Sequence, residues 1–287
     1  MDSFWTNTIW YIMLGILTLI QLTIVMLKNK SRSLNLAFYI TILGIILTFE
    51  MIILIYLGAY TYYPMILKNP PLPFDDMLAG NLFSQFTVSA TVLLVSVLNL
   101  NLFWFLIFPI GYGIIEESFK ALGIYSQNWY QTWMTVTLLP AGFGIARKMY
   151  EAIKSGIKPV FYYIYVYFGL FPLNIINLNW GLQLLRIQDF SLALLPDPIM
   201  SRHFLVLMQF FLLSVPMMII YFRQLKGIRA ALLIIIIYII YYAGWQMDLI
   251  IMKPGWFWPA STISLIWMYL SILVLDRLYG GFKNRIK

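Results

Sequence analysis

Apolar residues in this chain come in long unbroken runs rather than at alternate positions. The charged side chains leave uncharged stretches at 3–27, 33–49, 51–67, 77–115, 121–146, 159–185, 203–222, 230–247 and 254–275. A helix needs about 20 apolar residues to cross a hydrocarbon core about 30 Å thick, and most of these runs come close to that length. Segments such as Ala231 to Ile240 are apolar on every face, unlike the alternating pattern of a membrane strand. The pattern predicts helices, which satisfy their own backbone groups in lipid. They are expected at 8–27, 34–57, 81–98, 102–116, 130–146, 159–179, 203–222, 229–247 and 257–275. The fold class is therefore an all-α integral membrane protein with about nine transmembrane helices.

The 39-residue run at 77–115 is divided at Leu98-Asn99-Leu100-Asn101. Asparagine tolerates the left-handed backbone and caps its own turn, so this segment suits a tight hairpin. Charge supports the division. Lys28, Lys30, Arg32, Arg147, Lys148, Lys154, Lys158, Arg223, Lys226, Arg229, Arg277, Lys283, Arg285 and Lys287 then fall on one side. The other side holds Lys68, Lys120, Arg186, Arg202 and Lys253, together with Asp2, Asp75, Asp76, Glu116, Glu117, Asp189, Asp197 and Asp248. Basic loops stay in the cytoplasm, which puts the N-terminus out and the C-terminus in.

Composition narrows the function. With 62% hydrophobic and 10% charged residues, against about 25% charged in an average soluble domain, the bilayer is the first partner. The net charge of +8 sits in short loops, where it sets orientation and does not form a nucleic-acid surface. The absence of cysteine excludes disulfides, thiolate metal sites and cysteine nucleophiles. The first apolar run has no basic residue before it and no small-residue cleavage pattern, so it is expected to stay on the mature chain.

An internal repeat is expected from two similar segments. Asp76-Met-Leu-Ala-Gly-Asn-Leu-Phe83 and Asp197-Pro-Ile-Met-Ser-Arg-His-Phe204 each precede an out-to-in helix and its return partner. The return helices close with Gly113-Ile-Ile-Glu-Glu117 and Gly244-Trp-Gln-Met-Asp248, and each is followed by a tryptophan. Helices 3–5 and 7–9 thereby become parallel repeats, with Glu117 and Asp248 in matching places. The chain divides into a two-helix segment (1–67) that resembles a shortened copy, a first repeat (68–158), a linking helix with an outer-surface segment (159–202), and a second repeat with a basic tail (203–287).

Three carboxylates are candidate catalytic residues: Glu50, Glu117 and Asp248. Glu50 lies well inside an apolar run, where an ionisable group costs roughly 2.5–3.5 kcal/mol on insertion scales and therefore points to function. Glu117 and Asp248 sit where two helices emerge on the outer side, and a repeat axis brings them to face each other as acid and base. Glu116 is about 100° around the helix from Glu117, so the two do not line one pocket. The lone His203 lacks partners for a zinc site. Aromatics near Glu50 and Glu117 suit an organic cation or a carbocation. No nucleotide fingerprint or serine elbow appears, and neither a cofactor nor a metal is expected. If helical, Trp180 to Leu195 presents one apolar face and lies along the outer surface. Pro109 and Pro216 are expected helix interruptions.

The stretch from Gly111 to Trp133, GYGIIEESFKALGIYSQNWYQTW, resembles an uncharacterised family of multi-spanning proteins from spore-forming Firmicutes over about residues 75–155. The resemblance implies a cytoplasmic, forespore or spore inner membrane and a role in sporulation or germination. A fainter similarity, carried by Ile-Ile-Glu-Glu at 114–117, is to membrane-embedded terpene and lycopene cyclases. Three functions are thus expected to compete: a membrane component with an outer acidic cleft, an intramembrane enzyme using paired carboxylates on a lipid or isoprenoid, and a proton- or cation-coupled transporter.

Overall fold

The computed structural model describes residues 3–286; Asp2 and Lys287, both part of the charge distribution above, lie outside the described residues. Among the described residues nine long helices follow one another: α1 (Phe4–Lys28), α2 (Arg32–Tyr56), α3 (Pro73–Val97), α4 (Leu102–Ala121), α5 (Thr132–Ser155), α6 (Pro159–Leu184), α7 (Pro198–Phe222), α8 (Ile228–Gln246) and α9 (Phe257–Tyr279). Among the described residues, eight helices are long and apolar enough to cross a membrane, and α5 is not one of them. Its second half carries Arg147, Lys148, Glu151 and Lys154, so it is as long as its neighbours but more polar.

Local chemistry accounts for the helix limits. The turn at Asn99 adopts φ 49°, separating α3 from α4 inside the uncharged run. On the basic side, Arg147 of α5 donates to the Leu100 carbonyl and lies 4.8 Å over the Phe105 ring. α3 starts at Pro73 rather than 81, because proline suits the first helical position and Asp75 accepts the exposed Leu72 N–H at 3.0 Å. Pro109 and Pro216 do not interrupt their helices, which run on through both. The departures from α-helix fall elsewhere, as π-helical stretches at Phe4–Thr8 in α1, Ile52–Tyr56 in α2 and Pro172–Trp180 in α6.

Four three-residue strands are the elements the sequence pattern did not predict. β1 (Tyr60–Tyr62) pairs antiparallel with β2 (Tyr125–Gln127), and β3 (Gln188–Phe190) pairs with β4 (Ile250–Met252). The expected surface helix over 180–195 is not formed. The chain finishes α6 at Leu184, turns through Arg186 at φ 55° and enters β3. Asp189 of that strand pairs with Arg202 at 2.8 Å.

The chain divides into two compact units, residues 3–165 with 278–286, and residues 166–277. In the first, α3 is central and packs against α1, α2 and α5. Its seam with α1 is threaded by hydroxyls: Thr87 donates to the Leu14 carbonyl at 2.8 Å and meets Thr18 at 3.0 Å, while Gln21 donates to Thr91 at 2.7 Å. Without a hydrophobic driving force between helices in lipid, such bonds and close backbones hold helices together. Gly15 shows the closeness, since a Cβ there would meet the Phe83 ring at 2.9 Å. The tail returns to this unit through Tyr279, whose hydroxyl meets Thr41 at 2.6 Å. In the second unit the order of a helix, a strand, two helices, a strand and a helix runs from α6 to α9. The first unit has the same order from α2 to α5.

Candidate functional site

A cavity of about 520 Å³ opens within the first unit, and α2 and α5, which both pack on α3, contribute to its lining. That volume lies within the usual range for small-molecule pockets. Its lining is mainly aliphatic, and its most exposed side chains are Phe49, Leu138 and Ile145. The rim is therefore apolar. Two carboxylates, five tyrosines, Ser84, Gln85 and Thr135 supply the polar lining, with no Lys, Arg or His.

The tyrosine wall follows from strand register. Tyr60 and Tyr62 share one face of β1 because alternate residues do, and Tyr62 stands opposite Tyr125. Their rings lie 5.0–5.5 Å apart, and Tyr130 joins them at 5.4 Å from Tyr60. The loop after β1 fixes this wall. Its N–H groups at Met65, Ile66 and Leu67 all donate to Asp76 of α3, at 3.0, 2.8 and 2.7 Å. Its carbonyls at Tyr63, Pro64 and Met65 accept from Asn7 and Thr8 of α1. Irregular backbone is thereby satisfied on both sides, as its location demands. Gly80, one turn beyond Asp76, leaves room for the Pro64 ring, which a Cβ would meet at 2.9 Å.

Glu50 lines this cavity, but its expected companions do not. Glu50 is 9% exposed, and its Oε1 is buried with no hydrogen-bond partner among the described residues. Glu117 points away, exposed, and holds Lys120 and Thr132 at 2.8 and 2.5 Å. Asp248 belongs to the second unit, past the end of α8 in the left-handed conformation at φ 54°. The expected match of Glu117 with Asp248 does not hold. Asp248 stands two residues before β4 just as Gly123, at φ 71°, stands two before β2, whereas Glu117 lies inside α4.

The second carboxylate of the cavity is Glu116. Tyr112, Glu116 and Phe119 form one stripe of α4 facing the cavity, the spacing of a single helix face. Thr135 donates to Glu116 Oε1 at 2.5 Å and Gln127 to Oε2 at 3.3 Å. Glu50 and Glu116 are near enough for their charges to interact. One is held by two donors and the other has an open oxygen, so the pair is chemically unequal. No sequence spacing separates Glu116 from its neighbour, since Glu117 stands four residues from Gly113 just as Glu116 does from Tyr112.

The surrounding phenols respond to both acids. Burial pushes the Tyr130 hydroxyl up to about 12, with the Thr135 bond opposing and the Glu116 and Glu50 charges adding to the rise. Tyr62 and Tyr125 are raised as well, again chiefly by burial. A tyrosine in an unfolded chain ionises near 10, below the folded value. The neutral phenol therefore contributes stability that is whole below pH 10 and is lost as pH rises through the folded value. In a spectrophotometric titration, the difference between wild type and Tyr130→Phe is expected to be one phenolate step near pH 12. A step near pH 10 instead would mean an exposed phenol.

Among the described residues, no group of three or more His, Asp or Glu side chains is placed to hold a metal ion. Comparison with protein families, with curated proteins and with solved structures finds no match to this chain.

Proposed function

We propose that this multi-pass membrane protein crosses the bilayer nine times, N-terminus out and C-terminus in, and holds a lipid-sized ligand in the cavity of its first unit. One observation carries the ligand reading: Glu50 lines a cavity with an apolar rim, and no described residue donates to its buried Oε1. A polar atom so placed costs free energy unless something meets it. Exposed Phe49, Leu138 and Ile145 at the rim suit entry from lipid acyl chains rather than from water. The one-sided distribution of basic loops supports counting α5 as a crossing. The resemblance of residues 111–133 to a spore-former family supports a role for this component in sporulation or germination.

The two units are read as copies of one ancestral unit. Support comes from the bonds that flank each strand pair. Tyr63 N–H donates to the Ile124 carbonyl as Ser191 N–H does to Leu249, and Asn128 N–H donates to Ala59 as Lys253 N–H does to Ile187.

A second reading, an intramembrane enzyme acting on a lipid or isoprenoid, is favoured by the unequal carboxyl pair. Two acids in different environments are how one site supplies both a proton donor and an acceptor.

Filling the cavity tests the ligand reading. Gly142 of α5 lines it, and a Cβ there meets nothing within 4 Å. Gly142→Phe is expected to leave the unfolding free energy within about 1 kcal/mol of wild type while removing co-purifying lipid from native mass spectra. Unchanged lipid occupancy in a folded Gly142→Phe protein would sink the proposal.

A further inference from the structure

We infer that the occupant of this cavity is a monocationic amphiphile, an alkylammonium-type molecule whose charge sits against Glu50 among the tyrosines and whose chain lies along the aliphatic wall. The inference rests on the ligand reading above and names its chemistry. Charge balance is the first argument. The lining has two carboxylates and no basic side chain; Glu116 feels Lys120 beyond the lining, whereas compensating positive charge for Glu50 comes from outside the protein or from protons. Glu116 already accepts from Thr135 and Gln127. Glu50 lines the same cavity without a described donor to its Oε1, and is the carboxyl group left for a ligand.

The tyrosine cluster is the second argument. Tyr60, Tyr62 and Tyr125 bring three electron-rich rings within 5.0–5.5 Å of one another between centroids, Tyr130 adds a fourth 5.4 Å from Tyr60, and all four line the cavity with Glu50 and Glu116. Ring faces attract an organic cation, and more strongly where water is excluded. A bare metal ion gains little from such walls, because its usual oxygen cage is missing here.

The same lining argues against a zwitterionic phospholipid. A phosphate next to the ammonium would meet two carboxylates and no cation, an unpaired charge in a water-poor site. A single positive charge followed by an apolar chain fits both ends of the cavity.

The test is equilibrium binding of radiolabelled dodecyltrimethylammonium to the full-length protein in nanodiscs of uncharged lipid, with empty nanodiscs as reference. Two competitors of the same chain length are compared, the neutral tert-butyl isostere and dodecylphosphocholine. The cation is expected to bind about tenfold more tightly than the neutral isostere. Glu50→Gln is expected to erase that preference while retaining the neutral compound, and Gly142→Phe to reduce binding of both. Equal affinity for cation and isostere, both blocked by Gly142→Phe, would overturn the cation and leave the lipid pocket standing. Equal displacement by dodecylphosphocholine would overturn the requirement for a single charge. Binding indifferent to Gly142→Phe would overturn the pocket itself, and the cation with it.

Discussion

Glu50→Met is expected to make the purified protein more stable, by about 1–3 kcal/mol, and to leave it unable to hold its ligand. The side chain is nine-tenths buried, one of its oxygens has no donor, and its surroundings are largely apolar. Methionine has nearly the same volume and no polar group to desolvate, so the exchange removes a cost without leaving a hole. Natural chains tolerate such a residue where function requires it, and stability then rises when it is removed. Thermal unfolding in detergent, followed by far-ultraviolet dichroism, reads the difference. A lower midpoint for Glu50→Met would show that the carboxyl group tethers a neighbouring helix.

Asp76→Ala is expected to lower stability by roughly 3 kcal/mol or more, with Asp76→Asn losing about half as much. One carboxylate accepts three consecutive backbone N–H groups, from Met65, Ile66 and Leu67. Bonds to a charged acceptor contribute about 1.5–3 kcal/mol each, and partial exposure of the loop reduces the sum. The damage should not stay local. The same loop leads directly from β1, so Tyr60 and Tyr62 lose their anchor and the wall of the cavity loosens. Ligand affinity in the same variant is expected to fall with stability, measured by competition in nanodiscs. A destabilised protein with full affinity would mean that the tyrosine wall holds its shape without the loop.

Much of the helical framework was legible because the bilayer imposes a simple rule on length and polarity. The break at Asn99 inside a long uncharged run was readable from side-chain chemistry and parity of charge together. What escaped was short, or depended on helix phase. A strand of three residues leaves no periodicity, and nothing in the sequence brings Tyr60, Tyr62 and Tyr125 together until their register places them around a cavity. Glu50 stood out because nothing near it in sequence explains a buried acid. Glu116 and Glu117 are neighbours in sequence, and only packing decides that the first faces inward and the second meets Lys120 at the surface. Asp248 looked like a counterpart of Glu117 because Gly113 and Gly244 anchor a tempting alignment. The structure puts Asp248 at a left-handed turn position two residues before β4, and Glu117 inside α4.

The pairing of β1 with β2 also bears on how the protein is made. Tyr62 comes to stand opposite Tyr125 only after the α3–α4 hairpin between them has turned back on itself. The ribosome must therefore have released both helices before the first strand finds its mate, and β3 waits on α7 and α8 in the same manner. Each small sheet acts as a latch that closes after insertion. A hairpin that enters in the wrong direction, or only halfway, leaves its strands on opposite sides or out of reach. Unlatched strand edges of that kind are the sort of exposed surface that membrane quality control can detect.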